Sequence, residues 1–366
     1  MKVIYDSQIF TEQEFGGISR YFCALASQMS DVPGVDVKIV APLYINQYLK
    51  DADRAIVTGV HVRRFPKTGR IIKALSAALF DPIAGLMRPD LVHETYYTQH
   101  TSNRKVPHVL TVYDMIHEKF PESFRGGDAV TRSKKCAVDR VDHILCISEN
   151  TRRDLQEMHS LDDACLTVTY LGYDALPQTG VQAQDLIGPA PYILYVGGRH
   201  GYKNFDGLLR AYAASPWLKR NFRLVCFGAG ALSHDELPLM AKIGLSAKQV
   251  IHVGGGDDWL AALYKGAAAF VYPSKYEGFG IPPLEAMSLD CPVICSNTSS
   301  IPEVVGDAGE YFDPYELESI RVSIERVLQS SARRAELVSL GRERCKRFSW
   351  ERCAQETLAV YRRLAT

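Results

Sequence analysis

Residues 268–285 read AAFVYPSKYEGFGIPPLE, an apolar run followed by a glycine- and proline-rich turn that holds two glutamates. The run from Ala267 to Tyr272 has strand character and stops at Pro273. A buried strand that ends in such a turn is typical of open α/β sheets, which bind ligands at the carboxyl ends of their strands. The stretch therefore predicts an α/β fold with a ligand site directly after this strand.

The turn itself carries groups suited to a sugar that also bears phosphate. Gly278 and Gly280 allow positive φ angles, so the backbone can approach a ligand closely. Pro282 and Pro283 suit the first turn of a helix. The start of that helix would leave free N–H groups near Gly280 and Ile281 for phosphate or sugar oxygens.

Glu277 and Glu285 flank this turn as hydrogen-bond acceptors. We expect Glu285, in the first turn of the helix, to accept two vicinal hydroxyls, and Glu277 to accept a hydroxyl from another part of the same ligand. Alternatively, Glu285 balances the helix dipole and Glu277 is a solvated loop residue. A bare pair of glutamates would favour that alternative, but the glycines and prolines between them favour the ligand site.

This element resembles the Glu-x7-Glu motif of the retaining glycosyltransferases of family 4, from whose usual form it departs at Ile281. The resemblance spans roughly the whole chain, is dense in residues 190–315 and is thin in the amino-terminal half. It implies that Glu285 holds the nucleoside ribose of a nucleotide sugar and that Glu277 holds hydroxyls of the donor sugar. The family uses backbone amides beside the first glutamate, which here belong to Phe279, Gly280 and Ile281. Other stretches similar to this family are residues 263–264, 291–304 and 306–309.

A second element follows a predicted strand at Tyr192–Val196. Gly198 turns the chain, and Arg199 and Lys203 precede a helix with apolar residues at i, i+3, i+4 and i+7. A cationic pair at a strand end suits a diphosphate, whose charge must be neutralised as the glycosidic bond breaks. The alternative is a solvated basic turn. The resemblance favours the diphosphate role, because the family has an Arg and a Lys in a similar place.

Gly16 and Gly17 form a third element, before a helix predicted to run to Ser30. Such a loop can present N–H groups to phosphate, although glycines before a helix are weak evidence by themselves. The family has a similar Gly-Gly loop that faces the donor from the opposite domain. For Arg20, contact with a donor or acceptor phosphate and pairing with a surface acid are equal alternatives.

The chain departs from the family pattern after the apolar strand residues 109–112. Many members have His-Asp there, with the histidine reaching the donor sugar, whereas this chain has Tyr113-Asp114 followed by His117. Tyr113 can donate a hydrogen bond from the same position, His117 can turn inward, or neither contributes. Asp114 can equally cap a turn.

The composition describes a globular chain without net charge: 366 residues, 42 basic, 42 acidic and 46% hydrophobic. Charge balance argues against a general nucleic-acid binder. Nine scattered cysteines without a Cys-x2-Cys pair suit a reducing cytosol. Neither a signal peptide nor an apolar run long enough to span a bilayer occurs, so we expect a cytoplasmic protein.

Metal ligands are not apparent in the sequence. Asp51-Ala52-Asp53 matches the Asp-x-Asp of metal-dependent transferases, but it does not follow a buried strand and is expected to cap a turn. No His-x3-His or cysteine cluster has ligand spacing. We expect a metal-independent enzyme without a cofactor, in which the cationic pair replaces the metal.

Apolar strands alternate with helix-length segments through the whole chain, which predicts parallel sheets covered by helices. The stretch 176–191 has linker composition and separates an acceptor-side domain, 1–175, from a nucleotide-sugar domain, 192–349. The resemblance implies the GT-B architecture, two doubly wound Rossmann-like domains facing each other across a cleft. A helix over 350–366 is expected to pack back on the first domain, or to be an ordinary terminal helix. The predicted strands are Lys2–Asp6, Val35–Ala41, Leu91–Glu94, Val109–Tyr113, His143–Ile147, Leu166–Tyr170, Tyr192–Val196, Leu224–Phe227, Val250–Val253, Ala268–Tyr272 and Val293–Cys295.

Five basic residues lie between Arg63 and Lys73, next to apolar Ile71, Ile72, Leu75 and Leu79. A basic amphipathic stretch of this kind can contact an anionic membrane surface or hold a lipid diphosphate. A solvated charged face is the commoner alternative. The resemblance adds that the family includes many enzymes acting on lipid-linked glycans, so peripheral contact with the inner face of the cell membrane is a hypothesis.

These observations lead to one functional hypothesis and two alternatives. The hypothesis is a retaining, metal-independent hexosyltransferase that moves a sugar from a nucleotide-sugar donor to a glycan or lipid-linked glycan in cell-surface polysaccharide biosynthesis. The motif variants are similar to mannosyltransferase-like members, which favours GDP-mannose or a relative. The alternatives are a non-transferring GT-B enzyme, such as a nucleotide-sugar epimerase or hydrolase, and a catalytically silent nucleotide-sugar-binding subunit.

Overall fold

A computed structural model describes residues 1–99, 105–124, 127–177 and 180–365, and the side chains of residues 127 and 128 are not described. The chain divides into two compact units. Unit 1 comprises Met1–Gly172 and Ser349–Thr366, and unit 2 comprises Tyr173–Phe348. The predicted linker 176–191 falls in unit 2, and its residues 178 and 179 lie outside the described residues.

Unit 1 is built on a parallel sheet of seven strands among the residues described. The strands are β1 (Lys2–Tyr5), β2 (Asp36–Tyr44), β3 (Val57–His61), β4 (Leu91–Glu94), β5 (His108–Val112), β6 (His143–Cys146) and β7 (Leu166–Val168). Their order in the sheet is β3-β2-β1-β4-β5-β6-β7. The α-helices are α1 (Gln8–Glu12), α2 (Gly17–Ser30), α3 (Gln47–Asp51), α4 (Gly69–Met87), α5 (Ile116–Lys119), α6 (Gly127–Val138) and α7 (Glu149–Met158), with 3-10 turns at Pro121–Ser123 and Asp163–Cys165.

Unit 2 repeats this architecture with six described strands, again all parallel. The strands are β8 (Tyr192–Val196), β9 (Arg223–Phe227), β10 (Val250–Val253), β11 (Ala269–Tyr272), β12 (Val293–Ser296) and β13 (Gly309–Phe312). The order is β10-β9-β8-β11-β12-β13, the Rossmann order, which reverses direction between β8 and β11. The helices are α8 (Ala183–Ile187), α9 (Phe205–Ala214), α10 (Pro216–Asn221), α11 (Glu236–Lys242), α12 (Asp257–Gly266), α13 (Ile281–Ser288), α14 (Ile301–Val305), α15 (Leu317–Gln329) and α16 (Ser331–Cys345), with 3-10 turns at Gly201–Lys203 and Gly306–Ala308.

The central strands are buried because helices cover both faces of each sheet. Every residue of β4, β5, β6, β8, β11 and β12 is buried. In unit 2 the apolar stripe predicted for the helix after Lys203 is confirmed, since Phe205, Leu208, Leu209 and Tyr212 of α9 are buried in the core. This packing holds the carboxyl ends of β8 and β11 side by side.

The last helix, α17 (Trp350–Leu364), belongs to unit 1. Its Tyr361 is fully buried and its hydroxyl is hydrogen-bonded to Nδ1 of His93 in β4. Burial lowers the pKa of His93 to about 3, so the imidazole is neutral at physiological pH. Gly172 permits the close approach of this helix, because a Cβ atom there would lie 2.2 Å from the backbone nitrogen of Trp350.

The predicted fold, two Rossmann-like α/β domains, is confirmed, and the differences lie at the sheet edges. Strands β3 and β13 were not predicted, and both are edge strands. Strand β3 is partly solvated and β13 contains a glycine and a glutamate, so neither has the continuous apolar run by which the other strands are identified. Strand β2 continues to Tyr44 through an irregularity between Val40 and Leu43. None of the helices that the structure describes is long and apolar enough to cross a bilayer.

Candidate active site

The carboxyl ends of β8 and β11 bring Lys203 and Glu277 together. Lys203 ends the 3-10 turn after β8, and Glu277 lies in the loop after β11. The Lys203 Nζ donates to both carboxylate oxygens of Glu277, at 2.8 and 3.0 Å, and the two side chains are 23% and 9% exposed. Because the strand order reverses between β8 and β11, this ion pair lies where such sheets bind ligands.

Two buried tyrosines border Glu277. The phenol of Tyr272, the last residue of β11, is hydrogen-bonded to the Glu277 carboxylate, and burial together with that carboxylate raises the pKa of Tyr272 well above its ordinary value. Burial and then the charge of Glu277 likewise raise the pKa of Tyr195, whose hydroxyl donates to the carbonyl of the exposed Gly198. Both phenols therefore remain protonated, and Tyr272 can donate to Glu277.

Hydroxyl groups of the following segment fix the loop that carries Glu277. The Glu277 N–H donates to Ser299 Oγ at 2.9 Å, and Ser300 Oγ donates to the carbonyls of Glu277 and Phe279, both at 2.8 Å. Phe279 is buried and packs edge-on against Phe348 with ring centroids 5.7 Å apart. Tyr272, Ser299 and Ser300 were not among the predicted site residues, although the stretch 291–304 had carried part of the family resemblance.

The amino end of α13 offers backbone N–H donors next to this loop. Gly280 is the N-cap with φ 112°, a conformation that favours glycine. Pro282 and Pro283 have no N–H, so the donors at the helix start are the amides of Gly280 and Ile281. Within the described part of the chain, neither amide has a hydrogen-bond acceptor. Two amides are thus directed to solvent or to a ligand, as the turn predicted.

The predicted position of Glu285 in the first turn of its helix is wrong. Because α13 begins at Ile281, Glu285 is its fifth residue and lies in the second turn. Glu285 follows Ile281 by four positions, which puts the two on the same side of the helix. The carboxylate accepts a hydrogen bond at 3.3 Å from the buried phenol of Tyr264. Glu285 is therefore held beside the free amides, one helical turn further along.

Arg199 differs from its predicted role as a cation available to a diphosphate. Its side chain is 1% exposed, and its Nε donates to Oε1 of Glu236 at 2.6 Å. Its Nη1 donates to the carbonyl of Gly228 at 2.8 Å, and its Nη2 donates to those of Gly230 and Ala231 at 3.0 and 2.8 Å. The guanidinium therefore binds Glu236 and the loop 228–231, which follows β9. We name these contacts the Arg199–Glu236 clamp.

Glu236, the first residue of α11, was not predicted as a site residue. Burial opposes its ionisation, but hydrogen bonds from Arg199 and from the backbone of Ser233 prevail and lower the pKa of Glu236 below its ordinary value of 4.5. The clamp is therefore an ion pair at neutral pH. No local sequence signal links residues 199 and 236, which meet only in the folded sheet.

The residues predicted on the acceptor side all belong to unit 1. Tyr113 is buried, and its hydroxyl donates to the carbonyl of Thr95 at 3.2 Å, so its phenol joins the ends of β4 and β5. His117 is in α5 and stacks on Phe124 with ring centroids 4.1 Å apart. Burial lowers the pKa of His117. The Tyr113 hydroxyl thus already has a backbone carbonyl as its acceptor, and the His117 ring faces that of Phe124.

Gly16 is the N-cap of α2 and Gly17 is its first residue, and α1 lies between them and β1. Ser19 Oγ donates to the Gly16 carbonyl at 3.0 Å, and the Ser19 N–H donates to the side-chain carbonyl of Gln13 at 3.3 Å. A Cβ at position 16 would lie 2.1 Å from that Gln13 oxygen, the end of a flexible side chain that can move aside. Arg20 is half-buried on the same helix. The Gly-Gly loop is therefore a local cap in this structure.

Metal-binding geometry is not found in the part of the chain that the structure describes, where no three histidine, cysteine, aspartate or glutamate side chains form a suitable group. Asp51 is the last residue of α3, and Asp53 accepts a hydrogen bond from the Ala55 N–H at 2.8 Å. The Asp-x-Asp sequence thus borders a turn.

Comparisons with known proteins identify relatives for both units. The family model for Glycosyltransferase Family 4 matches residues 15–175, and that for Glycosyl transferases group 1 matches residues 181–344. O-antigen chain mannosyltransferase B of Escherichia coli is 33% identical over 285 residues, which are 73% of this chain and 74% of that protein. The serotype-specific mannosyltransferase WbdA of Escherichia coli is 29% identical over 346 residues, 86% of this chain, and this chain spans only 42% of its length.

Solved structures agree on the fold. Alr3699/HepE of Anabaena, determined in complex with UDP-glucose, has a TM-score of 0.71 and 16% identity, with 98% of this chain and all of that chain covered. The two family models together extend over most of both units. The chain therefore belongs to glycosyltransferase family 4, among its mannosyltransferase-like members, and has the GT-B fold.

Proposed function

We propose that this glycosyltransferase moves a mannosyl group from GDP-mannose to a glycan or lipid-linked glycan, with retention of the anomeric configuration and without a metal ion, in the synthesis of a cell-surface polysaccharide. The relative named O-antigen chain mannosyltransferase B supports the donor sugar and the process, and WbdA, named a serotype-specific mannosyltransferase, supports the donor sugar. The family motif supports the donor class, a nucleotide sugar.

The observation that carries this proposal is the group of donors and acceptors at the ends of β8 and β11. Lys203 and Glu277 form an ion pair there, the amides of Gly280 and Ile281 lie free beside it, and Glu285 follows one turn later. Glu285 would accept the ribose hydroxyls, and Glu277 would accept hydroxyls of the sugar. Lys203 and the helix start would hold the diphosphate between them.

The same residues suit cleavage of a glycosyl phosphate. The bond from the anomeric carbon to the phosphate oxygen breaks, and negative charge grows on the departing diphosphate. Lys203 and the amino end of α13 would stabilise that charge, and in this proposal they take the place of a metal ion. The acceptor oxygen then bonds to the anomeric carbon from the same face, and its proton passes to the departing phosphate oxygen. Glu277 is held by Lys203 and Tyr272, so we assign it to sugar binding rather than to nucleophilic attack.

Product analysis tests this proposal. Purified protein is incubated with GDP-mannose and an α-mannosyl oligosaccharide in the presence of EDTA, and the new linkage is examined by NMR. The α configuration of GDP-mannose should persist as an α-mannoside, since retention preserves it. A β-mannoside, or activity that appears only after manganese is added, would contradict the proposed mechanism.

The same assay separates the other two functions. Free mannose and GDP formed without acceptor would identify a hydrolase, and a sugar nucleotide of altered configuration would identify an epimerase. Nucleotide-sugar binding with none of these products, over a panel of acceptors, would indicate a silent subunit.

A further inference from the structure

Helix α4 of unit 1 has two apolar faces, and the described residues cover only one of them. Phe80 and Ala84 are buried in a cluster with Ile4 and Val92 of the neighbouring strands. The other face carries large apolar side chains that are solvent-exposed. These are Ile71, Leu75, Leu79 and Leu86, exposed by 60, 50, 46 and 86%.

These four side chains form a continuous stripe. With 3.6 residues per turn they fall within an arc of about 80°, and they extend along about 22 Å of the helix. Ile72, which the sequence had grouped with them, is buried and faces the core. Single exposed apolar residues are normal, but an aligned stripe of this length marks an interaction surface.

Positive charge is concentrated at the amino end of the same stripe. Arg64, Lys67 and Arg70 line an open cavity of about 620 Å³ together with Phe65 and one acid, Glu14. The exposed Arg63 guanidinium lies 6.0 Å from the Phe65 ring centroid. Over the described residues, none of these four cations makes an ion pair, whereas Lys73 further along is paired with Glu12. Four unpaired cations next to exposed apolar groups match a partner that is both anionic and apolar.

We propose that this α4 surface, residues 63–70 with Ile71, Leu75, Leu79 and Leu86, docks on an anionic lipid bilayer. An amphipathic helix can lie in the plane of the membrane with its apolar side chains below the headgroups, and flanking basic side chains then bind anionic lipids. A second copy of the chain is a poorer partner, because residues 63–88 contain a single acid, Asp81, to complement their basic residues. If the function proposed above holds, docking brings the enzyme to the layer that carries a lipid-linked acceptor.

Vesicle flotation of the full chain, without donor or acceptor, tests this docking. We expect the protein to float with phosphatidylglycerol–phosphatidylcholine vesicles, to float poorly with phosphatidylcholine alone, and to dissociate as salt rises. Leu75→Gln with Leu79→Gln should weaken binding to the vesicles by about tenfold or more, because the hydrophobic free energy of burying two leucine side chains in the bilayer is lost. Arg64→Gln, Lys67→Gln and Arg70→Gln should each weaken it by about fivefold.

The matched control is Leu237→Gln with Leu317→Gln, two exposed leucines of unit 2 that should leave binding unchanged. No flotation on anionic vesicles, or equal flotation of the Leu75 and Leu79 variant, would overturn the docking. A dimer that forms without lipid and is lost in that variant would also overturn it, since the stripe would then be a subunit interface. Calorimetric titration of the same preparations with GDP-mannose distinguishes failure of docking from failure of the proposed donor site.

Discussion

Replacing Lys203 by alanine should lower kcat/KM for sugar transfer by about 100- to 1000-fold, the usual effect of removing one group that stabilises charge in the transition state. Lys203 is the cation that pairs with Glu277 at the strand ends, with its Nζ 2.8 Å from Oε1. Its removal also leaves the carboxylate of Glu277 without its cation, next to the developing charge of the diphosphate. Steady-state kinetics with varied donor measure both kcat and KM.

Lys275→Ala is the matched control for the loss of one positive charge near the site. Lys275 lies in the same loop as Glu277, but its Nζ lies 5.2 Å from the ring centroid of Tyr315. We expect its kcat/KM to stay within about threefold of the wild-type value, in keeping with the small worth of solvent-accessible charges. If Lys203→Ala and Lys275→Ala lowered kcat/KM equally, Lys203 would act only through the positive charge it adds near the site. If kcat/KM of Lys203→Ala were unchanged, Lys203 would have no part in the mechanism.

Breaking the Arg199–Glu236 clamp should have the largest effect on stability. Removing one partner of a buried ion pair costs about 3–5 kcal/mol, because the other charge stays buried without compensation. Glu236→Ala should therefore reduce the free energy of unfolding of unit 2 by about that amount, measured by urea denaturation. Asp235→Ala is the matched control, since Asp235 is exposed and makes no side-chain cap for the same helix.

Glu236→Ala also distinguishes two roles for Arg199. If the Arg199 guanidinium acts by holding the loop 228–231, loss of its partner Glu236 should weaken donor binding. If the Arg199 guanidinium instead contacts the diphosphate directly, loss of Glu236 should leave donor binding unchanged or strengthen it. Calorimetric titration with GDP-mannose separates these outcomes, and the second would restore the role that the sequence indicated.

The pH dependence of this clamp has a defined sign. Because the folded pKa of Glu236 is lowered, its contribution to stability is complete above the ordinary carboxyl value of 4.5 and is lost as pH falls through the lowered folded value. The difference in unfolding free energy between the wild type and Glu236→Ala should accordingly be constant near neutral pH and shrink in acid. A difference that grew in acid would contradict the ion pair.

Local chemistry explains why the site at β11 and α13 could be predicted from sequence. The apolar run ends at Tyr272 because Pro273 follows, Gly280 takes the positive φ angle that only glycine adopts freely, and the prolines lie in the first helical turn. The error of one turn for Glu285 has a local cause as well. The helix begins at Ile281, directly after its glycine cap, so that Glu285 comes later than the prolines suggested.

Contacts between distant residues could not be predicted in this way. Arg199 has the sequence context of a diphosphate ligand. Only the folded sheet shows that its guanidinium donates to Glu236 and to three loop carbonyls instead. For Tyr113, donation to the sugar was one of three alternatives, and only the folded chain shows that its hydroxyl donates to the carbonyl of Thr95. Motif and periodicity describe single elements, whereas the partners of a buried polar group depend on which strands are neighbours.

Calorimetric titration of the purified chain in EDTA against GDP, UDP, ADP and dTDP and their sugar nucleotides tests the donor site most directly. We predict binding to one nucleotide class, with GDP-mannose favoured, and weaker binding in Lys203→Ala and Glu285→Ala. Lys203 and Glu285 lie on different elements but would hold the same ligand, so each substitution should weaken the affinity for the same nucleotide. Absence of nucleotide binding, or binding unaffected by both substitutions, would contradict a donor site at the ends of β8 and β11.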